Sequence, residues 1–302
     1  MSGAVLVTGA TGGIGRAIAL RLARDGWRVI GTTRDRDRAA ELRACARRHG
    51  LSLDTVLMDL TDTASRERGF AEALDLGGGR LRAVVNNAGM AMSGTVEDVT
   101  EQAARDVLEL NLLGPVQLAR LALPVMRDQG GGRIVNVSSL SGRVATPMIG
   151  WYCASKHGLE AVSDAMRMEA ERDGVRVVIV QPGCYATDLW NEVFARMAAI
   201  GPSAYADCYR LLNAVKPLVA GRLPSPEPVA RVVRRALTAP RPRARYSVGV
   251  DARVALAAER LLPARTADAA KQAVVGLRAA ALWRLLCGRA APMDGIPPLP
   301  SR

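Results

Sequence analysis

The sequence predicts an α/β fold: a doubly wound parallel sheet flanked by helices, with a helical C-terminal extension. Three observations predict it. Strand-like apolar runs alternate with helix-period runs from Ala4 to Val250. A glycine-rich turn, Thr8 to Gly15, directly follows the first such run. Val175 to Gln181 is almost wholly apolar, as suits the buried centre of a parallel sheet.

The elements follow in order. Ala4 to Thr8 reads as the first strand. Gly12 to Gly26 reads as a helix, with Ile14, Ile18 and Leu22 on one face. Arg28 to Thr32 is a second strand, Arg36 to Arg48 a helix with exposed arginines, and Leu53 to Met58 a third strand. Thr63 to Leu74 is helical until Gly77-Gly78-Gly79 breaks it. Leu81 to Asn86 and Arg133 to Ser138 are the next strands. Between them, Thr100 to Gln129 is one long helix that must accommodate Gly114-Pro115 and Pro124. Trp151 to Asp173 is a helix stopped by Gly174. Pro226 to Ala239 is another, and Arg245 to Val250 is a last short strand. Residues 251–287 read as two amphipathic helices separated near Pro263. We expect one domain over residues 1–250, including a substrate lid at 185–222, then the extension at 251–290 and a flexible tail at 291–302.

Composition narrows the function. Net charge is +12, and the excess is mainly arginine spread along the chain. No nucleic-acid-binding motif accompanies it, so the charge is expected to act on solubility and on steering of anions, with no nucleic-acid partner. No charge-free apolar stretch reaches the length of a membrane span, and the N-terminus lacks a signal-peptide layout, so a cytoplasmic protein is expected. The five cysteines are scattered and the two histidines lie far apart, so no disulfide framework or metal site is expected.

The chemistry sits in two patterns. Tyr152 and Lys156 stand four apart on a helix and project from one face. An ammonium beside a phenol favours the phenolate, which would draw the hydroxyl from near 10 toward neutrality. Ser139 lies thirteen residues before Tyr152, with Ser138 as its rival. The second pattern is Thr8-Gly9-Ala10-Thr11-Gly12-Gly13-Ile14-Gly15, a strand-to-helix turn whose backbone can approach a pyrophosphate at a helix N-terminus.

The turn, with three residues between Gly9 and Gly13, resembles the Thr-Gly-x-x-x-Gly-x-Gly of the short-chain dehydrogenase/reductase family. Asn86-Asn87-Ala88-Gly89, Asn111, Ser139 with Tyr152 and Lys156, and Pro182-Gly183 with Thr187 match its further motifs in order, over roughly residues 3–250. The resemblance implies a Rossmann fold and hydride transfer between a nicotinamide and a carbonyl or alcohol carbon. It implies that Tyr152 moves the proton, Lys156 holds the nicotinamide ribose, Ser139 binds the substrate oxygen, and Asn111 fixes a relay water. Asn87 and Gly89 would wall the cofactor, Asp59 and Leu60 flank the adenine, and a homodimer would pack through the two long helices.

Thr33 stands where NAD-preferring relatives carry an aspartate, and Arg34 follows it. A guanidinium suits a 2′-phosphate, so NADP(H) is preferred, with NAD(H) possible if Asp35 or Asp37 binds the ribose. Of eleven aromatic residues, Tyr185, Trp190, Phe194, Tyr205 and Tyr209 cluster in the lid. Together with Met148 they either line a pocket for a bulky apolar substrate or pack the lid against the core. The Trp151 to Met168 stretch and the extension resemble the subgroup of 17β-hydroxysteroid and retinol dehydrogenases, implying a steroid-, retinoid- or polyketide-like substrate. Two other readings keep the scaffold: a nucleotide-sensing binding protein, and an isomerase, epimerase or cyclase without net redox change.

Overall fold

The sheet has seven strands in the order β3-β2-β1-β4-β5-β6-β7, and every neighbouring pair is parallel. They are β1 (Ala4–Val7), β2 (Arg28–Thr33), β3 (Asp54–Leu57), β4 (Ala83–Asn86), β5 (Gly132–Val137), β6 (Val175–Pro182) and β7 (Arg245–Val248). The computed structural model describes residues 3–214 and 223–277. Part of the expected lid, the end of the expected extension with Arg278, Arg284 and Arg289, and the tail at 291–302 lie outside the described residues.

Strand order reverses between β1 and β4, and the carboxyl ends of those strands open a crevice there. Alternate β1 residues feed opposite faces. Val5 and Val7 pack with Ile18 and Leu22 of α1 (Gly13–Arg24), Leu42 of α2 (Arg36–Arg48) and Val229 and Val233 further along. Ala4 and Leu6 pack with Phe70 of α3 (Thr63–Leu76), Leu118 and Met126. Two apolar layers therefore clamp a sheet buried on both faces, as the apolar β6 run requires.

The expected long helix is interrupted. It runs as α4 (Glu101–Leu108), a π turn (Glu109–Leu113) and α5 (Gly114–Asp128). The N–H of Gly114 donates to the carbonyl of Glu109, five residues back. Pro115 has no N–H for a normal helical bond, so the strain falls one turn earlier, and Asn111 sits inside the widened turn. The catalytic-helix candidate α6 (Gly150–Ala170) ends in a short 3₁₀ turn, and Gly174, at φ 71°, stops it as predicted. The lid holds α7 (Leu189–Ala198) and α8 (Ala206–Ala214). The helix α9 (Glu227–Thr238) precedes β7, and the extension holds α10 (Val250–Leu261) and α11 (Ala264–Val274), divided at Pro263.

Candidate active site

A cleft of ≈ 700 Å³ lies over the carboxyl ends of the strands, and the glycine turn forms one wall. Gly9 has φ +61°, and a Cβ there would lie 2.9 Å from Ala88 Cα. A Cβ on Gly15 would lie 2.1 Å from the Gly9 carbonyl oxygen, so the turn closes only without side chains. Thr8 stitches it to the β4 loop: its hydroxyl accepts from the N–H groups of Asn87 (2.9 Å) and Ala88 (3.0 Å). The Asn87 amide donates back to the Thr8 carbonyl at 3.0 Å.

The start of α1 lacks a side-chain cap, as do the starts of α6 and α11, but α1 is the one of these that opens on the glycine turn of the cleft. Asp35, Asp62 and Thr100 cap the helices α2, α3 and α4 with side-chain oxygens. At α1 the cap is Gly12, with no side-chain acceptor and no acid in the first turn. Its N–H groups and positive dipole end face the cleft that Gly12, Gly13, Ile14 and Gly15 line, which fits a phosphate-bearing ligand.

The opposite wall carries Tyr152 and Lys156. The Lys156 ammonium is 5.9 Å from the centre of the Tyr152 ring and donates to the Val137 carbonyl at 3.1 Å. The Ser139 hydroxyl accepts from the Ser141 N–H at 3.1 Å and, unlike Ser138, lies near enough to Tyr152 to oppose the rise of the phenol's pKa. Ser138 lines the cleft, but its hydroxyl is shut off from solvent on the side of Gly142 and has no protein partner. Asn111 is fully buried: its Oδ1 accepts from the Met90 N–H, and its Nδ2 donates to the Met90 carbonyl and to Ser155 on α6. Both amide protons are thus committed, leaving one carbonyl lone pair for any water.

The electrostatics correct one expectation. Burial pushes the Tyr152 phenol up to about 12, with the Ser139 hydrogen bond opposing it. Burial also brings the Lys156 amine down to about 8, against the pull of Glu160. The spacing argument had the ammonium acidifying the phenol. Within the chain alone, desolvation outweighs that attraction, and the ammonium is turned to the Val137 carbonyl.

The remaining expected residues divide. Thr11, Thr33, Arg34, Leu60, Asn87, Ala88, Gly89 and Thr187 line the cleft. Asp59 does not; it is tied to Thr61, and its carboxylate lies 3.9 Å from Arg34. Pro182 and Gly183 lie off the cleft lining, and Gly183 adjoins Asp251 of α10. Tyr185 is buried in the core beside α9. Met148, with φ 69°, packs with Phe194, Met197 and Tyr209 in a separate cluster, with Trp190 at its edge. The lid reaches the cleft instead through Asp188, Leu189 and Glu192. Sequence reasoning missed Asp188 and Glu192, and also Arg38, Met58 and Met90. Most follow a strand's carboxyl end within a few residues, a signal that could have found them.

Comparison with known proteins agrees with this geometry. The model for the short chain dehydrogenase family matches residues 3–198. Retinol dehydrogenase 5 of Mus musculus is 34% identical over 282 residues, covering 88% of this chain and 86% of the relative. The uncharacterized oxidoreductase YusZ of Bacillus subtilis is 31% identical over 263 residues, covering 85% and 93%. Among solved structures, an actinorhodin polyketide ketoreductase variant with NADPH superposes with a TM-score of 0.70 at 30% identity, covering 82% of this chain and 95% of that one. A short-chain dehydrogenase from Streptomyces avermitilis superposes with a TM-score of 0.72 at 28% identity, covering 97% and 99%. The chain belongs to the short-chain dehydrogenase family and is an oxidoreductase of the dehydrogenase/reductase type.

Proposed function

We propose that this chain is an NADP(H)-dependent reductase of a bulky, mainly apolar ketone, and catalyses the reverse alcohol oxidation less readily. The observation that carries the reading is the meeting of the uncapped glycine turn with Tyr152 and Lys156 in one cleft. Bound NADPH supplies hydride to the carbonyl carbon. The chain supplies the proton and the orientation.

Tyr152, at about 12, is a neutral phenol throughout the physiological range, which is the form a proton donor needs. Ser139 stabilises the negative charge left on the phenol oxygen, and on the substrate oxygen beside it. Lys156, at about 8, is still mainly cationic at neutral pH and favours that same charge. Alcohol oxidation would need the phenolate at the start, so it should gain rate as pH rises. Lys156 would also hold the nicotinamide ribose, with Asn111 shaping the proton route behind it.

NADP(H) is favoured by Arg34 and Arg38, both lining the cleft mouth, and by the neutral Thr33 between them and the turn. Asp35, the nearest carboxylate in sequence, is engaged as the α2 cap, accepting from the N–H groups of Asp37 at 2.8 Å and Arg38 at 3.2 Å. Asp35 also lines the cleft, and the cap takes up its Oδ1. Similarity to retinol dehydrogenases and to a polyketide ketoreductase supports a retinoid-, steroid- or polyketide-like substrate. A homodimer packed through α4–α5 and α6, in the cytoplasm, completes the proposal.

The test is turnover of steroid, retinoid, quinone and polyketide carbonyls with NADPH and with NADH. Tyr152→Phe should lower kcat by about 10³-fold while NADPH affinity stays within about threefold. Normal turnover by that variant would remove Tyr152 from the reaction. Tight NADPH binding with no turnover of any carbonyl would favour a nucleotide sensor instead.

A further inference from the structure

We propose that Asp251, in the first turn of α10, is a positioning residue that clamps the segment from Gly183 to Thr187 against the cleft. Its carboxylate Oδ2 accepts from the Cys184 N–H at 2.6 Å. An aspartate in a first helical turn ordinarily serves its own helix. This one reaches across 67 residues of sequence to the loop that leaves β6. Burial first, and the nearby Asp251 charge second, push the Cys184 thiol up to about 11.

The glycines around it fit the same account. A Cβ on Gly183 would lie 2.2 and 2.3 Å from the two Asp251 carboxylate oxygens and 2.4 Å from its Cγ. Gly183 carries no positive φ. The residue is therefore a glycine to make room for Asp251, and not for backbone freedom. Gly249 differs: it has φ +108° and needs glycine for its conformation as well. From behind, the Val248 carbonyl accepts from the Gly183 N–H at 2.9 Å.

What the clamp positions lies on both sides of the chemistry. Cys184 is near enough to Tyr152 to act on the phenol electrostatically. Three residues further, Thr187 touches the glycine turn: a Cβ on Gly13 would lie 2.8 Å from its Cγ2. The extension thereby fixes the chain that joins the phenol to the phosphate-facing turn. The cofactor arm of this inference rests on the nicotinamide reading above; the loop arm does not.

The decisive experiment is amide hydrogen exchange of residues 183–188 in the ligand-free full chain, with NADPH dissociation constants beside it. Asp251→Ala should speed exchange at Cys184 by about tenfold or more and weaken NADPH by about five- to twentyfold. Asp251→Asn keeps an acceptor oxygen and should stay within about threefold on both counts. Its loss of charge should still raise the rate of Cys184 alkylation at pH 9 by about tenfold, a readout that a merely packing role leaves still. Gly183→Ala should mimic Asp251→Ala, and the pair combined should be no worse than Asp251→Ala alone. Additive effects in the double variant, or unchanged exchange at Cys184, overturn the clamp. If the wild-type chain binds neither NADPH nor NADH, the nicotinamide reading fails, while exchange and alkylation still decide the clamp. Should Asp251→Ala not fold, Asp251→Asn and the alkylation rates carry the test.

Discussion

The two walls of the molecule treat their polar groups in opposite ways. On the glycine-turn wall, α1 starts without a side-chain cap, and Arg34 is mostly exposed with only a 3.9 Å approach to Asp59. On the lid wall the polar groups close on each other. Asp98 accepts from the hydroxyls of Tyr209 at 2.6 Å, Thr95 at 2.7 Å and Ser203 at 2.8 Å. Tyr209 accepts in turn from the Thr95 N–H at 2.8 Å. Burial alone would raise the pKa of Asp98, but the three donors outweigh it and hold it below the ordinary range. One wall keeps donors for a ligand, and the other uses donors to stay shut. Polar groups without internal partners cost stability, and a chain retains them where a ligand will meet them.

The largest test of that contrast is Lys156→Met. Turnover should fall by about 10³-fold, because no cation would remain beside the phenol. Stability should move the other way. The amine titrates near 8 in the fold and near 10.5 in the unfolded chain, so folding releases protons between those values. Burying the cation therefore costs stability at pH 7, and that cost shrinks as pH rises from about 8 to 10.5. Calorimetry should show the variant melting about 2–5 °C above the wild type at pH 7, with the gap closing toward pH 10. A variant that melts lower at pH 7 would place Lys156 among groups that support the fold.

Arg34→Ala sharpens the contrast on the cofactor side. An exposed guanidinium with one distant acid partner contributes little to folding, so Tm should change by less than about 1 °C. NADPH affinity should fall about tenfold and NADH affinity less than about twofold, measured by equilibrium titration. Equal losses for the two nucleotides would assign the 2′-phosphate to another group, with Arg38 the next to replace.

These two sites were legible in the sequence because their parts lie close along it. Tyr152 and Lys156 stand four positions apart, and the turn from Gly9 to Gly15 is continuous. Helix and strand periods placed both, and all seven strands stand where alternation put them. The Gly114-Pro115 pair marked a disturbed helix, but not the π turn that carries Asn111. The burial of Lys156 was not legible either, because it depends on β5, whose Val137 carbonyl, 19 residues away, accepts from the ammonium. The lid was the least legible part. Its aromatic cluster was plain, yet the direction of each ring is set by partners far off in sequence. Tyr209 and Asp98 are 111 residues apart. No local pattern announces a bond of that span.

Tyr209→Phe tests the closed wall and carries the smallest expected effect. It keeps the ring in its cluster with Met148 and Phe194 while removing one hydroxyl. The Thr95 N–H then loses its acceptor, and Asp98 loses the closest of its three donors. A buried network left short of one member costs about 1–2 kcal/mol, or about 2–5 °C in Tm. Acid should act on the same joint: Asp98 supports the lid while ionised, so its contribution fades as pH falls below its depressed value. In the variant that acid-dependent step should be smaller. NADPH affinity should stay within about twofold, because the network does not reach the glycine turn, while KM for a bulky ketone should rise about two- to fivefold as the lid loosens. If NADPH affinity fell as far as KM rose, the two walls would be one cooperative unit, and the division drawn between them would be wrong.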